Sequence, residues 1–450
     1  MGKVRNVLCW SDTKTSWFEK AYVWLLAGVL FGIALHAPLS VGFGTLWSEQ
    51  ALFIKSWKEI LLGVAGLLLV VILTTKKQWG VYRSKLFLYI AGFAAVNIAL
   101  IPAFSTGVEA TLAGILINLR YFFVFALVYG AVRLYPKVVP LFLSAVAGGA
   151  LIVVVFAALQ VTVLPHDILK YIGYGEATIM PFLTVDQNTD FVRINSTLRG
   201  PNPLGAYIVI VLAVLLAAWL QSTKRLRKSW VQLILVAGIA SAVVLWATYS
   251  RSAALGAVIA MGLVLMVAYG GKITKSAWLV IGIAVLVLAG SLVAARDTSF
   301  VSHVILHEDP AEGGVVNSND QHAESLEVGL QRMAMQPLGA GIGSTGSASL
   351  HTENPIVIEN QYLFVAHETG WIGLALFMAI LVMVHRRLWQ TRKHWLSLGV
   401  FASGIGLSVI GLIQPVWVDD TVSIVWWSLA AMAIALSWNM KAPKKRGRNV

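Results

Sequence analysis

Three arginines lie beside the points where long apolar stretches of the sequence begin. Arg193 and Arg199 fall within residues 193–205, just before one such stretch, and Arg251 falls in the short polar segment 248–252 between two others. A guanidinium group offers a planar fork of hydrogen-bond donors that suits phosphate oxygens. Arginines that converge at one membrane surface would therefore suit a lipid-linked pyrophosphate. The alternative is that they contact lipid headgroups or form salt bridges within loops.

Two residues could remove a proton from an acceptor hydroxyl. Glu359 lies at the start of a later apolar stretch, where a carboxylate of suitable pKa could take a proton from a sugar hydroxyl. It could instead be an acid that the helix dipole favours at a helix start. His322 is an alternative base, or else a solvated loop histidine. Glu368, further along the same stretch, is expected to order the helix rather than react.

One arginine falls inside an apolar stretch. Arg120 lies within the predicted span 112–132, and a charge at such a depth is costly enough to mark a functional candidate. The alternatives to a role in substrate binding are a buried ion pair and snorkelling to the headgroups. Lys55, Lys58 and Glu59, near one end of another predicted span, are interpreted as snorkelling side chains.

The composition indicates that lipid solvates much of this chain. Of its 450 residues 58% are hydrophobic and only 12% are charged, about half the charged fraction of a soluble protein. Crossing the hydrocarbon takes about 20 apolar residues in a helix, and other open structures leave backbone groups unpaired there. We therefore predict an all-α integral membrane protein with about 12 transmembrane helices, forming a single polytopic domain over 1–450. The predicted spans are 21–37, 52–74, 86–103, 112–132, 140–163, 204–220, 231–248, 253–269, 277–294, 362–383, 396–413 and 421–439.

The distribution of charge predicts the orientation of these spans. Most of the 34 Lys and Arg residues lie on the side that also holds both termini, which is the cytoplasm by the positive-inside rule. The net charge of +13 thus indicates topology, and we expect no binding of nucleic acid. With Cys9 as the one cysteine, no intramolecular disulfide is expected.

Two connections on the opposite, extracytoplasmic side are long enough to suggest function. They are 165–203 and 295–361. Within the second, residues 323–336 could form an amphipathic helix, and residues 337–346 are too rich in glycine for a helix interior. The apolar stripe of that short helix would consist of Leu326, Leu330, Met333 and Ala334.

The sequence lacks the motifs of nucleotide and metal chemistry. It contains no Gly-Lys-Ser/Thr phosphate loop and no zinc-like His/Cys cluster, and the connection 38–51 has Glu49 as its one acid. A nucleotide-sugar or ATP-driven mechanism therefore lacks support, as does a metal-dependent oligosaccharyltransferase of the acidic-motif kind. We expect no cofactor and no metal.

Three patterns, in order along residues 140–390, resemble the O-antigen ligase/O-antigen polymerase superfamily. They are an arginine followed by Ser/Thr and Pro-Asn before a helix, a Ser-Arg pair at a helix start, and a glycine-rich loop followed by a Glu-x-Gly stretch. In this chain they correspond to Arg193, Ser196, Thr197, Pro201 and Asn202; to Ser250 and Arg251; and to Pro337, Gly339, Gly341, Gly343, Asn360, Leu363, Glu368 and Gly370.

The resemblance implies an enzyme of the bacterial inner membrane with both termini in the cytoplasm. It would move glycan from an undecaprenyl-pyrophosphate donor at the outer face to a sugar hydroxyl of a glycan or glycolipid acceptor, without metal or nucleotide. Arg193 and Arg251, with Arg199, would bind the pyrophosphate, and Arg120 is a further candidate. Where ligases of the family carry a histidine this chain has Glu359, so either Glu359 replaces it or His322 supplies the base. By the same resemblance Asn202, Asn360 and Glu368 are supporting residues.

A transporter or flippase of lipid-linked glycan or of a small solute is the rival interpretation. Twelve spans with both ends inside are common among transporters. Such a protein should place ionisable residues near the bilayer midplane on discontinuous helices. Here, apart from Arg120, they cluster at the outer boundary and in its loops, which favours the enzyme.

Overall fold

Apolar helices make up most of the chain that the computed structural model describes. The described residues are 15–104, 106–185, 188–222, 227–270 and 318–441, with side chains described except at 222, 318–323 and 438–441. The helices are α1 Trp17–Gly32, α2 His36–Leu46, α3 Ala51–Lys55, α4 Trp57–Thr75, α5 Lys85–Leu100, α6 Val108–Leu134, α7 Val139–Thr162, α8 Pro201–Ser222, α9 Lys228–Ala247, α10 Arg251–Tyr269, α11 Ser318–Met335, α12 Gly346–Ser349, α13 Gln361–Gln390, α14 Trp395–Ile410 and α15 Asp420–Lys441.

Within the described ranges, ten helical stretches are long and apolar enough to cross a membrane, which confirms the predicted all-α integral membrane fold. The first of these, Trp17–Leu46, is longer than the predicted span 21–37 because α1 continues through a short turn into α2. The predicted span 396–413 corresponds to α14, whose 16 residues are few for a lipid-facing span but are mostly buried against protein. The predicted span 277–294 lies outside the described residues.

Each of the two predicted long connections contains secondary structure. The first, 165–203, holds an antiparallel hairpin of β1 Leu183–Val185 and β2 Asn188–Arg193, in which Thr184 pairs with Val192. This hairpin is a small exception to the all-α prediction. The second, 295–361, is described from residue 318 onward and contains α11.

Helix α11 contacts the rest of the protein through Gly329 rather than through the predicted apolar stripe. Gly329 is buried, and a Cβ atom there would lie 2.9 Å from the Leu363 side chain. Leu326 and Leu330 of the stripe are 44% and 46% exposed. The stripe therefore faces away from the rest of the protein.

Helix α15 lies at the centre of the bundle. In its apolar stretch 94% of the residues are buried, against 11% for the peripheral helix α9. Its Trp427 stacks on Tyr121 of α6, with ring centroids 5.6 Å apart, and meets Phe122 and Phe125 edge-on. Aromatic pairs of this kind anchor α6 against α15.

Three further helices, α8, α10 and α14, pack closely through glycines. A Cβ atom at Gly256 of α10 would lie 2.9 Å from the Ile410 side chain and 3.0 Å from the Gly406 carbonyl oxygen of α14. Gly399 of α14 meets the backbone of α8 in the same way, and Gly205 of α8 meets Ala253 of α10. Small residues allow such close backbone approach in membranes. We call these three helices the glycine-packed trio.

The substitution Gly256→Ala should separate α10 from α14, since its methyl group has no room beside Ile410 and Gly406. Overpacking of this kind costs about 1–3 kcal/mol. We expect a lower thermal unfolding temperature in detergent. Gly262→Ala on the same helix is the matched control, because nothing lies within 4 Å of the added Cβ. Equal unfolding temperatures for the two variants would contradict this account of the packing.

Candidate active site

Arg193 is tied to the turn that precedes Arg251. The Arg193 Nε donates to the Thr248 carbonyl oxygen at 2.9 Å, and its Nη2 donates to Asn202 Oδ1 at 2.6 Å. These contacts join the end of β2 to the first turn of α8 and to the turn between α9 and α10. Arg251 is exposed at the start of α10. The two arginines thus lie at the same end of the bundle, and Asn202 orients the Arg193 guanidinium group.

Arg199 faces a different neighbour. It is exposed just before α8, and its charge acts on Tyr174 of the first long connection and on Asp419 and Asp420 at the start of α15. Burial raises the pKa of the Asp419 carboxyl, and the Arg199 charge opposes that effect. Arg199 therefore lies near the start of α15.

Arg120 lies in a buried charge cluster. The cluster consists of His36, Lys58, Glu59, Arg120 and Asp420. The Arg120 guanidinium pairs with the Asp420 carboxylate, lies 3.3 Å from Glu59 Oε1 and donates to the Val418 carbonyl oxygen at 3.2 Å. Only 8% of Arg120 is exposed. These contacts correspond to the buried ion pair, not to a cation open to substrate.

The interpretation of Lys58 as a snorkelling side chain is wrong. Lys58 is 3% exposed, and its Nζ lies 2.8 Å from Asp420 Oδ2 and 3.0 Å from Glu59 Oε1. Its charge is neutralised inside the bundle because α15 brings a carboxylate to it. The hydropathy of a single span cannot show such a partner.

The buried charge cluster is electrically balanced. Trp57 Nε1 donates to His36 Nδ1 at 3.1 Å, and His36 Nε2 lies 3.2 Å from Asp420 Oδ2 and 3.1 Å from Lys58 Nζ. Two basic side chains, those of Lys58 and Arg120, face two carboxylates, those of Glu59 and Asp420. Among the described residues, Arg120 Nε and Glu59 Oε2 are buried without hydrogen-bond partners. The cluster joins α2, α4, α6 and α15.

Glu359 lies where three segments meet. Its backbone N–H donates to Ser325 Oγ of α11 at 2.9 Å. The next residue, Asn360, caps α13 by accepting from the N–H groups of Tyr362 and Leu363, and its Nδ2 donates to the Leu412 carbonyl oxygen at 2.8 Å. The position of Glu359 is therefore fixed by α11 and by the segment that follows α14. His322 lies in α11, and its side chain is outside the described ones.

Residues 411–420 connect the start of α13 to the buried charge cluster. The Gln361 N–H donates to the Gly411 carbonyl oxygen at 2.8 Å, and Gln361 Oε1 accepts from the Trp417 N–H at 2.8 Å. Arg120 holds the next carbonyl of the same segment, that of Val418. The cluster thus supports the backbone on which Glu359 is positioned.

Arg251 and Glu359 lie beside the same end of α14. Gly256, about one and a half turns into α10 from Arg251, packs against Ile410 at the end of α14. Glu359 precedes the residues that bind Gly411 and Leu412. We call this end of the bundle the site end. It is formed by the first residues of α8, α10, α13 and α15 and by the last residues of α14.

The glycine-rich loop 337–346 packs against a break in α13. Gly370 has φ +65° inside that helix, and the Trp371 N–H donates to the Pro337 carbonyl oxygen at 2.9 Å. A Cβ atom at Gly370 would lie 2.4 Å from that same oxygen. Gly339, with φ +81°, meets the Gly370 backbone from the other side. Gly339 and Gly370 thus lie where the backbone of the loop and the backbone of α13 are in direct contact.

The Glu368 carboxylate holds this loop in place. It is fully buried, its Oε1 accepts from the Gly343 N–H at 3.0 Å, and its Oε2 accepts from Asn118 Nδ2 at 2.6 Å. Asn118 also donates to Asn97 of α5 at 3.1 Å. Glu368 therefore links α13, the loop and α6, in keeping with an ordering role.

Sequence reasoning missed four residues that shape this end: His36, Asn118, Gln361 and Asp420. Charged residues within or at the ends of the predicted spans were a usable signal, because charges at that depth need partners. They are Lys58, Glu59, Arg120 and Asp420. The sequence did not show which of these residues pair with each other. Among the residues that the structure describes, no group of three or more His, Cys, Asp and Glu side chains could hold a metal ion.

The substitution Asp420→Asn should leave Arg120 and Lys58 without their shared carboxylate. Removing one partner of a buried ion pair costs about 3–5 kcal/mol. We expect a much lower yield of folded protein and a lower unfolding temperature. Asp419→Asn is the adjacent control, since an amide oxygen can still accept the Val422 N–H that Asp419 Oδ1 now binds. Wild-type stability of Asp420→Asn would refute the proposed charge balance.

The substitution Glu368→Gln should loosen the glycine-rich loop. A glutamine has a single side-chain oxygen for two buried donors, Gly343 N–H and Asn118 Nδ2, and one unmet group costs about 1–3 kcal/mol. We expect lower thermal stability and faster proteolysis within 337–346. Glu49→Gln, at an exposed position in the short connection before α3, should change neither quantity. The account fails if both variants behave alike.

Comparison with known proteins was made for the whole chain. A family model described as O-antigen ligase matches residues 236–378. The match runs from within α9 to within α13 and includes Arg251, the glycine-rich loop, Glu359 and Glu368, whereas Arg193 lies outside it. A search of the curated proteins returns no match. Residues 236–378 are thus similar to the O-antigen ligase family, the same family that the sequence motifs resemble.

Proposed function

We propose that this multi-pass membrane protein is a metal-independent glycosyltransferase that uses an undecaprenyl-pyrophosphate-linked glycan as donor. It would transfer or polymerise that glycan onto a sugar hydroxyl in the assembly of O-antigen or another surface polysaccharide. The observation that carries the proposal is the contact of Arg193 with the turn before Arg251, at the end of α14 where Glu359 also lies. We place this site at the outer face of the bacterial inner membrane, with both termini in the cytoplasm.

The arginines would act on the leaving group. As the bond between the anomeric carbon and the pyrophosphate oxygen breaks, its electron pair passes to the pyrophosphate, whose negative charge grows. Fixed cations aimed at developing charge lower the barrier. Arg193 is held by Thr248 and Asn202 and would need little rearrangement, and the exposed Arg251 can reach a lipid-linked phosphate.

Arg199 would extend this cationic surface toward α15. Its charge acts on Asp419 and Asp420, so part of its field is already neutralised. We expect a weaker contribution from it than from Arg251. We assign Arg120 to positioning, because its guanidinium group is committed to Asp420, Glu59 and the Val418 carbonyl oxygen.

Glu359 would serve as the base for the acceptor. The acceptor oxygen forms a bond to the anomeric carbon while its proton passes to the Glu359 carboxylate, so that charge and atoms balance across the step. General base catalysis contributes about 10²–10⁴-fold in rate. The backbone of Glu359 is anchored to Ser325 of α11, three residues from His322, which keeps His322 as the alternative base.

The transporter alternative has less support. Transport requires ionisable groups near the midplane that are exposed alternately to either side. In the buried charge cluster, Lys58, Glu59 and Asp420 lie at or near the starts of α4 and α15, whereas Arg120 lies about halfway along α6. All four are paired with each other, which argues against groups that are exposed alternately to either side.

Activity assays with purified lipid-linked donor and glycan acceptor test the proposal. Arg251→Ala should lower kcat by about 10²–10³-fold, the cost of removing one preorganised charge donor. Glu359→Gln should lower kcat by about 10²–10⁴-fold, the contribution of a general base. Arg386→Ala, at an exposed position near the opposite end of α13, and Glu353→Gln, at an exposed position in the loop before α13, are the matched controls. Full activity of both site variants would refute the roles assigned here.

A further inference from the structure

A cavity opens at the end of the glycine-packed trio opposite to the site end. Its volume is about 370 Å³, within the range of small-molecule sites. It is lined by Leu220 and Gln221 of α8, Val267 and Ala268 of α10, and Arg392 and Lys393 of the turn between α13 and α14. We call it the basic-end cavity.

The lining divides into an apolar wall and a cationic wall. Leu220, Val267 and Ala268 form the apolar wall. On the other wall, the Arg392 guanidinium stacks 4.0 Å from the centre of the Trp389 ring and donates to the Trp389 carbonyl oxygen at 3.0 Å, while Lys393 is exposed. Stacking fixes the guanidinium plane and leaves further N–H donors for an anion. This division suits an amphiphile that has an anionic head.

Among the described residues, one buried polar atom beside the cavity has no hydrogen-bond partner. Gln221 Nε2 donates to the Arg392 carbonyl oxygen at 3.2 Å, which orients the side-chain amide. Gln221 Oε1 is buried and accepts no hydrogen bond from the described residues. A buried acceptor without a donor costs free energy that a bound hydroxyl group would recover. The site therefore fits a ligand that carries both a phosphate and a hydroxyl group.

The level of the cavity matches that of lipid headgroups. The apolar stretches of α8 and α10 end at Gln221 and Tyr269. Tyr269 and Trp389 are 43% and 36% exposed at this level, as is typical of the aromatic belt at a membrane interface. Basic pockets between transmembrane helices on the cytoplasmic side bind anionic lipid headgroups. The many cations of this face are predicted to be cytoplasmic.

We infer that the basic-end cavity binds the headgroup of an anionic glycerophospholipid with a free hydroxyl, such as phosphatidylglycerol. Its phosphate would contact Arg392 and Lys393, its hydroxyl would donate to Gln221 Oε1, and its glycerol backbone and acyl chains would follow the apolar wall. Such a lipid would hold α8 and α10 together at one end while their other ends carry Asn202 and Arg251. The inference does not depend on the proposed glycosyl transfer.

Lipid-dependent stability of the purified full-length protein tests the inference. Ligands that bind only the folded state raise the unfolding temperature with concentration. We expect phosphatidylglycerol in mixed micelles to raise the unfolding temperature of the wild type saturably, and phosphatidylcholine or inorganic phosphate to raise it much less. An equal rise with phosphatidylcholine, or with inorganic phosphate alone, would overturn the assignment to an anionic lipid.

Variants locate the effect. We expect most of the phosphatidylglycerol-dependent rise in unfolding temperature to be lost in two variants. They are Lys393→Gln, at an exposed position, and the double variant Arg392→Gln with Lys393→Gln. The control is Arg386→Gln, at an exposed position near the same end of α13, which should keep the rise. Gln221→Leu should bind phosphatidylglycerol no better than phosphatidic acid, which lacks the headgroup hydroxyl. Native mass spectrometry provides a second measurement of retained lipid. An unchanged rise in the Lys393→Gln and double variants would overturn the site.

Discussion

The organisation of this bundle depends on the cost of placing charge in a medium of low dielectric constant. Arg120 and Lys58 are stable inside it because Asp420 and Glu59 come from other helices to neutralise them. Satisfying both cations at once requires α4, α6 and α15 to meet at one level, with α2 contributing His36. The same arrangement fixes the Val418 carbonyl oxygen and hence the segment that supports the start of α13.

A second kind of constraint acts through the backbone. Where helices or loops must touch main chain to main chain, only glycine leaves enough room, as at Gly256 and Gly406 in the trio and at Gly370 against Pro337. The first contact sets the distance between Arg251 and the end of α14. The second sets the path of the loop that Glu368 holds. Neither glycine pair touches substrate in our proposal, yet both determine where the reactive groups lie.

The two ends of the glycine-packed trio carry different groups. At the site end, guanidinium groups lie at the boundary of the apolar region, where water lowers the cost of charge and a lipid-linked phosphate can approach. At the other end, cations and exposed aromatic rings lie at the level of lipid headgroups. The close glycine contacts within the trio connect these two ends of the bundle.

The sequence alone predicted the membrane class and ten of the spans, because lipid allows little besides apolar helices, and its motifs resemble the family whose model matches residues 236–378. It could not predict that Lys58 is buried beside Asp420, which residues Arg120 pairs with, or that α14 has only 16 residues. Each depends on which helix packs next to which. A charge or a short helix is stable in hydrocarbon only by virtue of its neighbours, and only the tertiary structure decides those neighbours.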